Sequence, residues 1–88
     1  MKTLDGEQEK LVGEALQREY RLLESRANML RQEINVHEKE YRMSSDEFVT
    51  KFEGGELGDN QTFFEWWGLI EGLKKTEAKI VEITAVLR

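Results

Sequence analysis

Two long stretches of the chain carry apolar residues at the alternating three- and four-residue spacing of a coiled coil. Because this spacing returns to one face of an α-helix, the pattern predicts long helices over residues 7–41 and 61–87. The first stretch runs through Leu16, Tyr20, Leu23, Ala27, Leu30, Ile34, His37 and Tyr41. The second runs through Trp66, Leu69, Leu73, Thr76, Ile80, Ile83 and Leu87.

The residues between these stretches predict a short helix. Ser44, followed three residues later by Glu47, is a capping-box signature that starts a helix over residues 45–53. Asp46 and Glu47 would then lie in its first turn, where the helix dipole favours negative charge. Gly54 and Gly55 end this helix, since glycine readily adopts the left-handed conformation found after many helices.

A loop over residues 54–60 leads into the last helix. Thr62 and Glu65 form a second capping-box signature there, with Asp59 and Asn60 as alternative N-caps. Residues 1–6 at the other end of the chain are expected to be disordered.

These elements predict an all-α fold with one domain over residues 7–88. The simplest arrangement is an antiparallel helical hairpin, resembling a coiled coil, with the short helix and the Gly-rich loop at its closed end. A hairpin buries only one side of each helix, so we expect two hairpins to pair into a four-helix bundle or one to dock on a partner. Pairing of the long helices between chains is the alternative.

The second long helix has two features outside its heptad positions. A flanking stripe widens the apolar face near its start, which suits a helix that packs against more than one neighbour. This stripe consists of Phe63, Trp67, Ile70 and Val81. Gly68 and Gly72, four residues apart, leave one strip of the helix bare enough for close approach of another backbone.

Composition excludes several classes of function. The 88 residues include no cysteine and one histidine, so neither a disulfide framework nor a thiolate or histidine metal cluster is expected. A pI near 4.9 argues against direct nucleic-acid binding. No apolar run approaches the roughly 20 residues of a membrane helix, and residues 1–10 lack the apolar core of a secretory signal. We therefore expect a cytoplasmic protein that binds no membrane, metal, cofactor or small-molecule substrate.

Negative charge and aromatic residues coincide between Ser44 and Gly72. This segment holds six of the eight aromatic residues, and seven acids against the single base Lys51. Large aromatic anchors beside charge of one sign are typical of a surface that captures a basic protein. In the alternative interpretation the aromatics fill the closed end of the hairpin and the acids are merely solvated.

The candidate partner-binding residues are Phe64, Trp67, Glu56 and Asp59. Neighbours on a helix point about 100° apart, so Trp66 and Trp67 cannot both face one core, and Trp66 occupies the heptad position. The loop carboxylates do not match the ligand spacing of an EF-hand. A thin hairpin also offers no pocket in which paired carboxylates could work on a substrate, so an enzyme is not expected.

The central segment resembles a recurring module. Tyr41-Arg-Met-Ser-Ser-Asp-Glu-Phe48, Phe52-Glu-Gly-Gly-Glu-Leu-Gly-Asp59 and Phe63-Phe-Glu-Trp66 are similar to small helical proteins of bacteria and archaea. That group has a core of the form MSSEEF…GELGD…FxEW, and its members are often predicted to be antitoxins encoded beside a small ribonuclease-type toxin. The resemblance implies a protein that binds and neutralises a partner without chemistry of its own. This chain lacks a recognisable DNA-binding motif, so operator binding is not implied.

Two functions follow as hypotheses. The first is a protein-binding helical module, an antitoxin that covers the active surface of a small basic ribonuclease-type toxin. The second is a self-associating coiled-coil scaffold or dimerisation protein with no enzymatic target, in which the heptad positions mediate assembly into a homo-oligomer.

Overall fold

The computed structural model describes residues 5–88, which form three helices and no strand. They are α1 (Gly6–Tyr41), α2 (Ser45–Glu53) and α3 (Gln61–Leu87). Contacts between the long helices run in opposite chain directions: the Tyr41 ring meets Phe63, whereas Arg31 meets Glu77. The predicted all-α antiparallel hairpin is thereby confirmed.

The start of α1 lies slightly earlier than residue 7. Asp5 is the N-cap, and its side chain accepts a hydrogen bond from the Gln8 amide while the Gln8 side chain accepts one from the Asp5 amide. This reciprocal pair satisfies two free donors at the helix start, so α1 begins at Gly6. Of the terminus expected to be disordered, residues 1–4 lie outside the described part of the chain.

A tight turn joins α1 to α2. Arg42 adopts the left-handed conformation with φ 52°, and its amide donates to the Glu38 carbonyl. Ser44 caps α2 by accepting from the Glu47 amide at 3.1 Å. The Glu38 carboxylate also accepts from the Ser45 amide at 2.8 Å. A side chain on the last turn of α1 therefore fixes the start of α2.

The loop from α2 to α3 depends on two glycines. Gly55 and Gly58 have φ of 76° and 75°, a conformation that residues with a Cβ rarely adopt. The loop ends at Asn60, whose side chain accepts from the Thr62 amide at 2.8 Å. The predicted Thr62–Glu65 capping box is wrong, because α3 already begins at Gln61 and places Thr62 inside the first turn.

The heptad positions form the contact between the long helices. All eight predicted positions of α1 are buried or half-buried, as are those of α3 from Trp66 to Ile83. Buried Thr76 satisfies its hydroxyl by donating to the Gly72 carbonyl at 2.8 Å. The resulting rod measures 56 × 25 × 20 Å, so its core is only one layer of side chains thick.

The core is thickest at the closed end, where α2 joins the hairpin. Phe48 and Trp66 are both fully buried, and their rings stack with centroids 3.8 Å apart and planes 8° apart. Ile34 and Ile70 complete this cluster. The Trp66 indole N–H donates to the Ser45 hydroxyl at 3.3 Å, so its one polar atom has a partner.

Candidate protein-binding site

Three aromatic side chains meet on the surface at the closed end. Phe52 comes from α2, and Phe64 and Trp67 come from the first turns of α3. The Phe52 ring packs edge-to-face on Phe64, with centroids 5.1 Å apart and planes at 87°. It lies 6.4 Å from the Trp67 ring. Phe64 is 49% exposed, and the other two are half-buried.

Helix geometry explains why these three rings are left at the surface. Trp66 occupies the heptad position and turns fully into the core. Because neighbouring residues point about 100° apart, Trp67 is directed to the flank of α3, beside α2. On α2, Phe48 takes the core position and Phe52, one turn later, stacks on it with ring centroids 5.4 Å apart. The buried pair therefore fixes the position of the exposed group.

A carboxylate orients the tryptophan. The Trp67 indole N–H donates to Glu53 Oε2 at 3.1 Å, across from α3 to the last residue of α2. Glu53 itself is exposed, so the hydrogen bond lies at the surface. It holds the indole in one orientation while leaving part of the ring accessible.

The two predicted loop carboxylates lie on the segment that connects these aromatics. Glu56 and Asp59 are both exposed, and neither forms an ion pair with another described residue. The loop between them is held by Leu57, which packs against the core cluster. Lys51 is the base nearest in sequence, and its ammonium lies 3.9 Å from the Glu47 carboxylate. Among residues 5–88, no cation forms an ion pair with the two carboxylates of this loop.

We name the group Phe52, Glu53, Glu56, Asp59, Phe64 and Trp67 the acidic aromatic surface. Of the four candidates, the structure joins Phe64 and Trp67 through Phe52, whereas Glu56 and Asp59 make no hydrogen bond to either. Sequence reasoning missed Phe52 and Glu53 as members. The Phe48–Phe52 spacing indicated a shared helix face, but only the position of α2 over α3 shows which ring reaches the surface.

This arrangement offers contact area and charge. Over residues 5–88, no three histidine or acidic side chains come together as a possible metal-binding group. No helix in that range combines the length and the apolar character needed to cross a membrane. What the surface presents is a set of partly exposed rings, held by their neighbours, beside carboxylates that are free to contact a cationic side chain.

Comparisons of the chain with protein-family models, curated proteins and solved structures gave no match.

Proposed function

We propose that this chain is a protein-binding module whose acidic aromatic surface captures a basic surface on another protein. The observation that carries the proposal is the exposed Phe64 ring, held edge-on by Phe52 beside Trp67. Aromatic anchors of this kind dominate the energy of many protein interfaces. Since packing already limits their rotamers, less conformational entropy is lost when a partner covers them.

The carboxylates determine which partner suits this surface. Exposed acids beside an apolar anchor attract lysine and arginine side chains, and they speed encounter with a basic protein at low salt. A protein that acts on RNA has such a basic surface, because it must bind phosphates. Glu56 and Asp59 would occupy places where the partner otherwise receives phosphate groups.

The mechanism we propose is occlusion of a small basic ribonuclease-type toxin. The resemblance of residues 41–66 to predicted antitoxins supports this choice of partner. The carboxylates bring the two proteins together, and Phe64 and Trp67 are then desolvated against the toxin and hold the complex. No reaction by this chain is needed, and the encounter takes place in the cytoplasm, where a chain without cysteine needs no oxidising environment.

A self-associating scaffold is the second candidate function. It is favoured by apolar side chains exposed along α1, at Leu22, Met29 and Val36. Under this function a change at Phe64 would have no effect on partners, whereas a change on α1 would abolish assembly.

The test is a pull-down of the tagged chain from its native cell extract at low salt, repeated with two serine variants. Phe64→Ser removes the exposed anchor. Val81→Ser is the control, because Val81 is 68% exposed on the same helix but lies away from the closed end. We expect one small basic protein in equal amount with the wild type and with Val81→Ser, and its loss with Phe64→Ser. Equal recovery with all three would contradict the proposal.

Charge is tested by paired reversals that change the net charge equally. Glu56→Lys with Asp59→Lys alters the acidic aromatic surface, whereas Glu14→Lys with Glu82→Lys alters exposed acids near the open end of the hairpin. Only the first pair should reduce recovery at low salt. The difference should shrink in high salt, since the screening length falls from about 10 Å at 0.1 M to about 3 Å at 1 M.

A further inference from the structure

A second apolar stripe runs along α1, outside the contact with α3. Leu22, Met29 and Val36 are 66%, 62% and 61% exposed. They are spaced by seven residues, so they lie on one helix face at intervals of about 10.5 Å. This regular spacing is that of a coiled-coil contact, yet no part of residues 5–88 covers these side chains.

The stripe borders a groove between α1 and α3. The groove has a volume of about 570 Å³, and Leu30, Val36 and Leu69 contribute its apolar walls. It stays open because Gly68 and Gly72 on α3 have no side chains to fill it. A Cβ at Gly68 would meet nothing within 4 Å. The bare strip expected from the glycine spacing therefore exists, but no backbone among residues 5–88 approaches it.

The groove and α2 lie on different sides of the hairpin. Arg31 and Glu38, seven residues apart on α1, mark the side that pairs with Glu77 and holds the start of α2. Leu22, Met29 and Val36 are displaced from that line by roughly 160° around the helix, at about 100° per residue. A partner on the stripe would therefore approach the side of α1 opposite α2.

The charges beside the stripe indicate what that partner is. Arg26 lies between Leu22 and Met29, and Glu33 lies between Met29 and Val36, on the same face. Both are exposed, and neither forms an ion pair with another described residue. When a second copy of α1 is placed antiparallel to the first, the two faces are complementary. Apolar positions of one copy then lie against apolar positions of the other, and Arg26 lies near the second copy's Glu33.

We propose that two copies of this chain pair through α1 in antiparallel orientation, with a two-fold axis near Met29. In this register Leu22 lies against the second copy's Val36, and Met29 lies against its counterpart. Arg26 pairs with the second copy's Glu33 on both sides of the axis. Such an interface is isologous, as a two-fold dimer requires, and the product is a four-helix bundle.

The same register fills the groove. His37 stacks on Trp66 with centroids 5.7 Å apart, and a Cβ at Gly72 would lie 3.9 Å from Leu30. Val36 is therefore level with Gly68 along the rod. The second copy's Leu22, placed at Val36, enters the groove where Gly68 leaves room, and symmetry fills the other groove in the same way.

The charges also define the ends of the contact. Glu19 and Glu40 continue the line of Arg26 and Glu33 at the same seven-residue spacing, and in this register they lie opposite each other as like charges. The favourable contact therefore spans about two heptads, roughly 21 Å of helix.

The first test is a charge exchange measured by sedimentation equilibrium over a range of protein concentrations. Arg26→Glu and Glu33→Arg each place like charges across both symmetric pairs, and each should weaken the dimer about tenfold or more. The double variant restores opposite charges at unchanged net charge, and its dissociation constant should return to the wild-type value within about threefold. An effect that follows net charge instead, with no restoration in the double variant, would overturn the proposal.

The second test blocks the groove without harming the hairpin. Gly68→Gln adds a long side chain where the single chain has open space, and it improves helix propensity, so the fold is kept. Ala78→Gln, at an exposed position of the same helix, is the control. We expect Gly68→Gln to weaken the dimer about tenfold or more and the control to leave it unchanged, with circular dichroism confirming helix content. A monomeric wild type at about millimolar concentration, or a dimer indifferent to Gly68→Gln, would refute this interface.

Discussion

Replacing Phe48 with alanine tests whether the closed end is a true core that holds α2 in place. Phe48 is fully buried, and its ring stacks on Trp66 at 3.8 Å while also meeting Phe52 and Phe63. It is the one fully buried large side chain that α2 contributes among the described residues. Its removal would leave a cavity between α2 and α3 that no neighbouring backbone can close without moving.

The expected loss is large relative to the total stability. Truncating a buried phenylalanine to alanine costs about 3–5 kcal/mol, and a stacked aromatic pair accounts for about 0.5–1.5 kcal/mol of such a loss. A domain of 88 residues at about 0.05–0.15 kcal/mol per residue has roughly 4–13 kcal/mol in all. Phe48→Ala therefore removes between a quarter and nearly all of the unfolding free energy.

The assay is urea unfolding, followed by tryptophan fluorescence and by far-UV circular dichroism. Phe64→Ala is the matched control, since it is the same substitution at a ring that is 49% exposed. It should cost about 1 kcal/mol or less, because little buried surface is lost. Fluorescence reports the closed end directly, since Trp66 stacks on Phe48, whereas circular dichroism reports the long helices.

A Phe48→Ala variant that unfolds at the same urea concentration as Phe64→Ala would refute the described packing of α2. If the fluorescence transition moves and the circular dichroism transition does not, α2 undocks as a separate unit. In that case the acidic aromatic surface, which depends on Phe52, would also be lost.

Four further substitutions test local features by the same unfolding assay, at protein concentrations low enough to keep the chain monomeric. Gly68→Ala should stabilise by about 1 kcal/mol, because the position is helical and open. Gly55→Ala should cost about 1–2 kcal/mol, because its φ is 76°. Ser44→Ala should cost about 1 kcal/mol through loss of the α2 cap. Arg31→Ala should cost less than about 1 kcal/mol, since Arg31 and Glu77 are both about half exposed. Destabilisation by Gly68→Ala, together with stabilisation by Gly55→Ala, would contradict the backbone conformation at these two positions.

The long helices and their contact could be predicted because the signal is local and repeated. Each heptad position constrains the same face, so an error at one position, such as the polar Thr76, does not change the prediction. The cap Ser44 and the stop at Gly54–Gly55 likewise depend on residues within one turn. The N-cap of α3 is less determined by sequence, since Asp59, Asn60 and Thr62 can all cap a helix and only the backbone decides among them.

The surface could be predicted only in part. The exposure of Phe64 follows from the angle between neighbouring side chains on a helix, which the sequence contains. The contact of Trp67 with Glu53 and the place of Phe52 depend on how α2 lies across α3, and no spacing within one helix specifies that. The open groove at Gly68 could likewise not be predicted. The spacing of Gly68 and Gly72 predicts a bare strip on α3, but it does not specify whether another backbone fills that strip.

The most direct test of the acidic aromatic surface is to map by NMR where the partner recovered in the pull-down binds this chain. The chain has only two tryptophans, and their indole N–H signals report different places, Trp66 in the core and Trp67 at the surface. On adding the partner, we expect the Trp67 indole and the amides of residues 52–67 to shift. The chemical shifts of the amides of residues 22–36, which carry the α1 stripe, should not change. Shifts confined to the α1 stripe, with the Trp67 signal unchanged, would contradict the central claim.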